Sequence, residues 1–227
     1  MVQVESAARL CAKYGMVTPG MPGDPPVLLA SAFAVSRRHR VAFLHIGKTG
    51  GSTVHRLLRE AGLDDGVLSA KGGSIAAKQR YFAEVVAEWG SYFKFTFVRN
   101  KFDQLVSLWH YDGRPTGSFA GFLHRVVAPC RGLYGPWIDQ HFLTTIGGRP
   151  VFDFVGRFER FEHDLRAVLA RLGITAPAIP RENAGRYDRS IPPRAYYDSE
   201  LEQLVRAKFG AEIAHFGFAP EGRPTSR

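Results

Sequence analysis

The chain reads as an α/β protein with three layers, a mostly parallel sheet held between two sets of helices. A buried strand followed by a polar loop and an amphipathic helix occurs twice, at 41–61 and at 92–111, and strand and helix signals alternate again downstream. The composition agrees: the 227 residues are 45% hydrophobic and 22% charged, enough for one sizeable core and too apolar for a disordered chain.

Each element has a local reason. Val4, Ala8, Leu10 and Cys11 form a short amphipathic stretch, followed by a Pro- and Gly-rich run at 18–26. Residues 1–39 are therefore expected to be a partly flexible extension with few core contacts, ahead of a domain over 40–220 and a tail at 221–227. Residues 41–46 read as a buried strand, and Val54, Leu57, Leu58 and Ala61 recur at helical spacing until Gly62 ends the run. The aromatic and β-branched segment 92–98 predicts a second strand, leading through Arg99, Asn100 and Lys101 into a helix over 102–111. The stretch 112–150 is less regular, with helical patches near 119–127 and 138–146. A further strand is expected at 152–155. Leu165, Val168, Leu169 and Leu172 then mark a helix stopped by Gly173, and Ser199 with Glu202 signals a capping box for the last helix.

Thirty Lys and Arg against twenty-one Asp and Glu leave a formal charge of +9, which favours an anionic partner without choosing its class. The two cysteines, Cys11 and Cys130, form no C-x-x-C pair, which excludes a disulfide framework and a cysteine-rich zinc site. The apolar run 27–35 is about half of the ~20 residues a membrane-spanning helix needs. No basic leader precedes it, and 23 Arg accompany 7 Lys; a cytoplasmic, bacterial protein is expected.

In open α/β sheets ligands bind beyond the carboxyl ends of the strands, and two loops lie at such ends. The first, 47–53, places Lys48, Gly50, Gly51 and the hydroxyls of Thr49, Ser52 and Thr53 between a strand and a helix N-terminus. Backbone N–H groups, the helix dipole and a mobile ammonium together suit a phosphate or sulfate. A glycine-rich turn with a solvated lysine is the plainer alternative. An ordinary Walker A loop does not fit, because Ala42 stands where its first glycine is required and 43–46 form a strand. In the second loop Arg99 can offer a bidentate fork to a phosphate, and Ser107 can donate its hydroxyl from about one turn inside the helix. Taken alone, Arg99 fits an ion pair and Ser107 a helix surface equally well.

The segment His45-Ile46-Gly47-Lys48-Thr49-Gly50-Gly51-Ser52-Thr53 resembles the 5′-phosphosulfate loop of sulfotransferases that use 3′-phosphoadenosine 5′-phosphosulfate (PAPS). The likeness is to their carbohydrate branch, which includes the heparan 2-O and chondroitin enzymes, with Gly47 in place of a usual proline. Phe95-Thr96-Phe97-Val98-Arg99-Asn100-Lys101-Phe102-Asp103-Gln104-Leu105-Val106-Ser107 is similar to the 3′-phosphate motif of the same families. Lys101 replaces that motif's proline and Gln104 its second basic residue, two changes that nearly cancel in charge. Weaker likeness continues through Gly156, Arg157, Phe158 and Glu159, Asn183, and the Tyr- and Phe-rich end, to about residue 218.

The resemblance implies a P-loop-like fold and transfer of a sulfuryl group from PAPS to an acceptor hydroxyl by in-line displacement. Adenosine 3′,5′-bisphosphate leaves, without a metal. Lys48 would be the catalytic cation, and Lys48, Thr49, Gly50, Gly51, Ser52, Thr53, Arg99 and Ser107 would hold the nucleotide. The acceptor implied is a carbohydrate or other hydroxyl compound. Trp109, Tyr111, Tyr134 and Trp137 could stack on a sugar, although such aromatics are more often core or lid residues. The histidine that relatives place between the loops is missing from 69–77, so His141, with Asp139, is the local candidate base. His45 is expected to orient the loop, and His110 and His124 to be structural. Two other readings remain: a non-catalytic nucleotide binder, and a P-loop-like phosphotransferase. A nucleic-acid module is disfavoured, since no basic stripe with interleaved aromatics occurs.

Overall fold

The computed structural model describes residues 5–18, 27–70, 73–113, 117–128, 137–175, 178–179 and 191–220. In chain order the strands are β1 (Val17–Thr18), β2 (Val27–Leu28), β3 (Phe33–Ser36), β4 (Val41–Leu44), β5 (Phe93–Val98), β6 (Thr145–Ile146), β7 (Arg149–Pro150) and β8 (Phe154–Arg157). The helices are α1 (Ala7–Tyr14), α2 (Gly51–Glu60), α3 (Ile75–Ala87), α4 (Lys101–Leu108), α5 (Phe119–Phe122), α6 (Gln140–Thr144), α7 (Phe161–Arg171) and α8 (Ser199–Phe216).

Four strands form the central sheet in the order β3-β4-β5-β8. β4 pairs with β5 and β5 with β8 in parallel, and β3 adds an antiparallel edge to β4. The fold is therefore α/β with a mostly parallel sheet flanked by helices. Side chains alternate across it as the pleat requires. Val41, Phe43, Phe95 and Phe97 pack with Val54, Leu57 and Leu58 of α2 and Leu165, Val168 and Leu169 of α7. On the other face Ala42, Leu44 and Val98 join the apolar sides of α3, α4 and α8. Gly62, at φ +69 just past α2, and Gly173, at φ +69 past α7, supply the left-handed turns that end these helices.

Several boundaries differ from expectation for local reasons. The expected strand 152–155 begins at Phe154, because the carboxylate of Asp153 accepts the backbone N–H of Lys94 at 2.8 Å and its ammonium at 2.8 Å, ending the ladder there. The last helix is capped by Asp198, which accepts from the N–H of Leu201 at 2.9 Å, not by Ser199. The helix over 102–111 starts one residue earlier and passes into a π-turn at Trp109–Gly113. The patch at 138–146 is α6 followed by β6. Cys130, Tyr134, Asn183 and the tail 221–227 lie outside the described residues.

The larger correction concerns residues 1–39, which are not poor in core contacts. Leu10 and Tyr14 of α1 are fully buried, as are Leu29, Ala30 and Phe33. The run 27–35 is β2, a short 3₁₀ turn and the edge strand β3. Tyr14 donates its hydroxyl to the carbonyl of Leu143 at 2.6 Å, and the Lys13 ammonium caps the carbonyls of Phe142 and Thr145. Phe33 lies edge-on to Tyr14 at 5.0 Å and stacks at 6.3 Å on Phe152. Truncation of that ring leaves a large cavity: Phe33→Ala is expected to lower stability by about 3–5 kcal/mol. Urea unfolding checks this, and an unchanged midpoint would mean that this segment contributes nothing to the core.

Candidate functional site

The parallel register brings the carboxyl ends of β4, β5 and β8 to one edge of the sheet, Leu44 lying opposite Thr96 and Val98 opposite Arg157. The chain leaves β4 through His45 and Ile46 into a tight loop. Lys48 there adopts the left-handed conformation, at φ +64, which costs a non-glycine residue roughly 1–2 kcal/mol. Gly50 follows at φ +88 and is the N-cap of α2 without a side-chain cap. Gly50 thus brings no side chain of its own to the start of α2, and the Thr53 N–H turns back to the Gly50 carbonyl at 3.1 Å; a glycine-led helix start of this kind suits an anion.

Both glycines are sterically required. A Cβ on Gly50 would lie 2.5 Å from the Phe161 ring, and one on Gly51 would lie 1.9 Å from the ring of His45. Gly47 has open space around it and no positive φ, so neither its surroundings nor its backbone demands a glycine. Thr49 is buried and donates its hydroxyl to the carbonyl of Ile46 at 2.8 Å, leaving its backbone N–H as the group it can offer a ligand. Thr53 is buried in the first turn of α2, and Ser52 is half-buried beside it. The Lys48 ammonium sits 4.2 Å from the centre of the Tyr111 ring, itself 68% exposed on the π-turn after α4.

His45 packs its ring under Gly51, and this desolvation holds its pKa down to about 4; the neighbouring His55 and Lys48 act in the same direction. It is therefore neutral at pH 7 and braces the loop. His55 lies 5.2 Å away and leaves its buried Nδ1 without a hydrogen-bond partner.

Arg99 joins the second loop to the first. Its NH1 donates to the carbonyl of Lys48 at 3.0 Å, its Nε to Asp103 at 2.6 Å, and its guanidinium lies 4.2 Å from the centre of the Phe158 ring. Two of the three guanidinium nitrogens are thus engaged inside the protein. Asn100 caps α4 and takes Glu159 onto its backbone N–H at 2.6 Å, so Glu159 serves the loop structurally. Ser107 is buried one turn beyond Gln104, on the helix side that meets the first loop.

Lys101 requires a correction. It was expected to offset in charge the basic residue that Gln104 replaces, but its side chain is 0% exposed and turns inward. Its ammonium meets Glu212 at 3.0 Å and Gln104 Oε1 at 2.6 Å, and also binds the carbonyl of Ile138. Burial pushes the Lys101 ammonium below its ordinary pKa, and Glu212 opposes that shift. Gln140, also fully buried, accepts from the Arg99 N–H at 2.6 Å and donates to the Arg99 carbonyl at 2.8 Å and to Glu212 at 2.5 Å. Gln104 completes the chain by donating to the carbonyl of Gly47 at 2.9 Å. Sequence reasoning missed this network; the only sign of it was polar Gln104 and Gln140 among apolar neighbours.

The base candidates Asp139 and His141 flank Gln140, which bonds to Arg99, while the contacts of their own side chains lie on α6 and α8. Asp139 is the N-cap of α6 and accepts the N–H of Phe142 at 2.7 Å. His141, on α6, faces His215 of α8 with 4.9 Å between ring centres. Of the candidate platform, Trp109 packs on Phe119 and Tyr196, with His110 bonded to the Tyr196 hydroxyl at 3.0 Å, whereas Tyr111 projects over Lys48. Among the described residues no cluster of His, Cys, Asp and Glu could hold a metal, and no helix is long and apolar enough to cross a membrane. No family model matches the chain, and neither a curated protein nor a solved structure does.

Two outcomes follow. Lys101→Met leaves Glu212 buried and unpaired and is expected to cost about 3–5 kcal/mol, with much of it recovered in the double variant Lys101→Met/Glu212→Gln; urea unfolding of the full mutant cycle checks this. His45, whose folded pKa lies below its unfolded value near 6.5, stabilises the fold fully above pH 6.5 and less as the pH falls toward 4. The loss is about 3 kcal/mol over that window. In His45→Asn this component of the pH dependence disappears from the unfolding midpoints.

Proposed function

We propose that the chain is a sulfotransferase that moves a sulfuryl group from PAPS to an acceptor hydroxyl, on a P-loop-like three-layer scaffold. The observation that carries this reading is the adjacency of its two motif loops at one sheet edge, where the Arg99 guanidinium reaches the carbonyl of Lys48 at 3.0 Å. The residues present suit a doubly phosphorylated nucleotide: a glycine N-cap at α2, two glycines with no room for a Cβ, and the basic side chains Lys48 and Arg99.

When bound, PAPS supplies the activated sulfuryl group. Lys48, Thr49, Gly50, Gly51, Ser52 and Thr53 would hold its phosphosulfate end, the first by charge and the others by N–H and hydroxyl groups. Arg99 and Ser107 would hold the 3′-phosphate through the donors that Arg99 retains. Lys48 would neutralise the charge that grows on the leaving phosphate, and this stabilisation is largest in the transition state. Phosphoryl transfer to or from such a site would need a carboxylate for a divalent ion beside the loop; Asp103, the acid in the second motif, is paired with Arg99.

One observation favours a second reading. His141 and Asp139 are engaged elsewhere, which supports a protein that binds the nucleotide without transferring from it. Radiolabelled PAPS with a panel of hydroxyl acceptors separates the two: label transferred to an acceptor supports the enzyme, binding alone supports the binder, and absence of binding defeats both. In the enzyme, Lys48→Ala is expected to lower turnover by about 10²–10³ with the unfolding midpoint unchanged; turnover within a few-fold of the parent would remove Lys48 from the reaction.

A further inference from the structure

The two departures in the second motif, Lys101 and Gln104, sit one helical turn apart and touch. Lysine has three donors and no acceptor, so the atom of Gln104 that meets its ammonium at 2.6 Å must be the amide oxygen. That contact settles the orientation of the amide: the NH₂ group faces the other way and donates to the carbonyl of Gly47 at 2.9 Å. A basic residue at 104 would bring a second cation against Lys101, and proline at 101 would leave Gln104 free to turn over. The two residues make sense only as a pair.

What the pair fixes is one peptide plane. In a trans peptide the C=O and N–H point in opposite directions. With the Gly47 carbonyl drawn toward α4, the N–H of Lys48 is turned away from α4. Arg99 does the same for the next plane by taking the Lys48 carbonyl, which turns the N–H of Thr49 to the side opposite Arg99. Two successive carbonyls held inward across a residue at φ +64 leave two successive N–H groups on the opposite side, the arrangement of an anion nest.

We propose that Gln104, oriented by buried Lys101, is a positioning residue that keeps the Lys48 N–H aimed at the anion, in place of the direct phosphate contact a basic residue would make there. The proposal rests on the anion-site reading of the first loop but not on the chemistry transferred there. Glu212 keeps Lys101 in place at 3.0 Å, so the device is anchored in α8.

The test uses the full chain and two probes, inorganic sulfate and adenosine 3′,5′-bisphosphate, titrated by calorimetry and followed at the ¹⁵N–¹H resonances of Lys48 and Thr49. The variants are Gln104→Met, which removes the donor without adding charge, and Gln104→Glu, which keeps an acceptor for Lys101 but cannot donate to Gly47. Both are expected to weaken each probe by about three- to tenfold, the effect of one hydrogen bond. The Lys48 resonance should no longer respond to sulfate, while the other amide resonances of the core keep their positions. Weakened sulfate binding in the variants of a chain that ignores the nucleotide supports the positioning role and defeats the sulfotransferase reading. Equal affinities in parent and variants, or no sulfate binding by the parent, overturn the positioning role. Should Gln104→Met fail to fold, Gln104→Leu, which also removes the donor without adding charge, gives the same decision.

Discussion

The structure turns on a lysine and a glutamate that meet where no water reaches. Lys101 and Glu212 are 0% and 1% exposed, and such a pair is tolerated only if every remaining donor and acceptor is met. Here the accounting closes. The three ammonium protons go to Glu212, Gln104 and the carbonyl of Ile138; the carboxylate takes Lys101 and the Gln140 amide on one oxygen and the Gln140 N–H on the other. Through these contacts α4, α6 and α8 share one polar centre, and Gln104 and Gln140 carry its order outward to Gly47 and to both backbone groups of Arg99. Apolar packing on the two faces of the sheet would permit small relative shifts of these helices. The directional bonds do not.

That centre also redistributes the charge. Of the basic groups near the two loops, Lys101 is neutralised inside the protein and Arg99 is paired with Asp103, while His45 is kept uncharged by burial. None of these three groups is a free cation at the loop, so the glycine-led start of α2 carries part of its positive character. An anion held there would be recognised more by directed hydrogen bonds than by bulk charge, and the chain's +9 is mostly expressed elsewhere on its surface.

Elements with a strong local pattern were legible. The apolar and β-branched runs located β4 and β5, and the 3.6 period α2, α7 and α8, to within a few residues, and the turn after β4 was legible from its glycines. What failed was non-local. β3 is held by pairing with β4, and the composition of 27–35 says nothing about which edge it joins. Asp153 shortened β8 by bonding to Lys94, 59 residues away in sequence, and Gln140 and Glu212 meet across 72 residues. His141 was chosen for its place in the sequence, but α6 turns Gln140, not His141, toward Arg99. A helix face is decided by its neighbours, and no single-chain periodicity in five residues reports them.

The long sequence separations have a consequence for the order in which the molecule is built. Parallel pairing of β4 with β5 closes a loop of about fifty residues and that of β5 with β8 one of similar size, so the sheet assembles late relative to its helices. A nascent chain that has emerged through β8 already carries both loops, yet Lys101 still lacks its counter-ion, because Glu212 lies in α8. The desolvation cost then keeps that ammonium near water and Gln104 unheld. Docking of α8 is the event that draws the lysine inward, so the loop acquires its final shape only when synthesis has passed the last helix and partly made chains display the motif without its geometry.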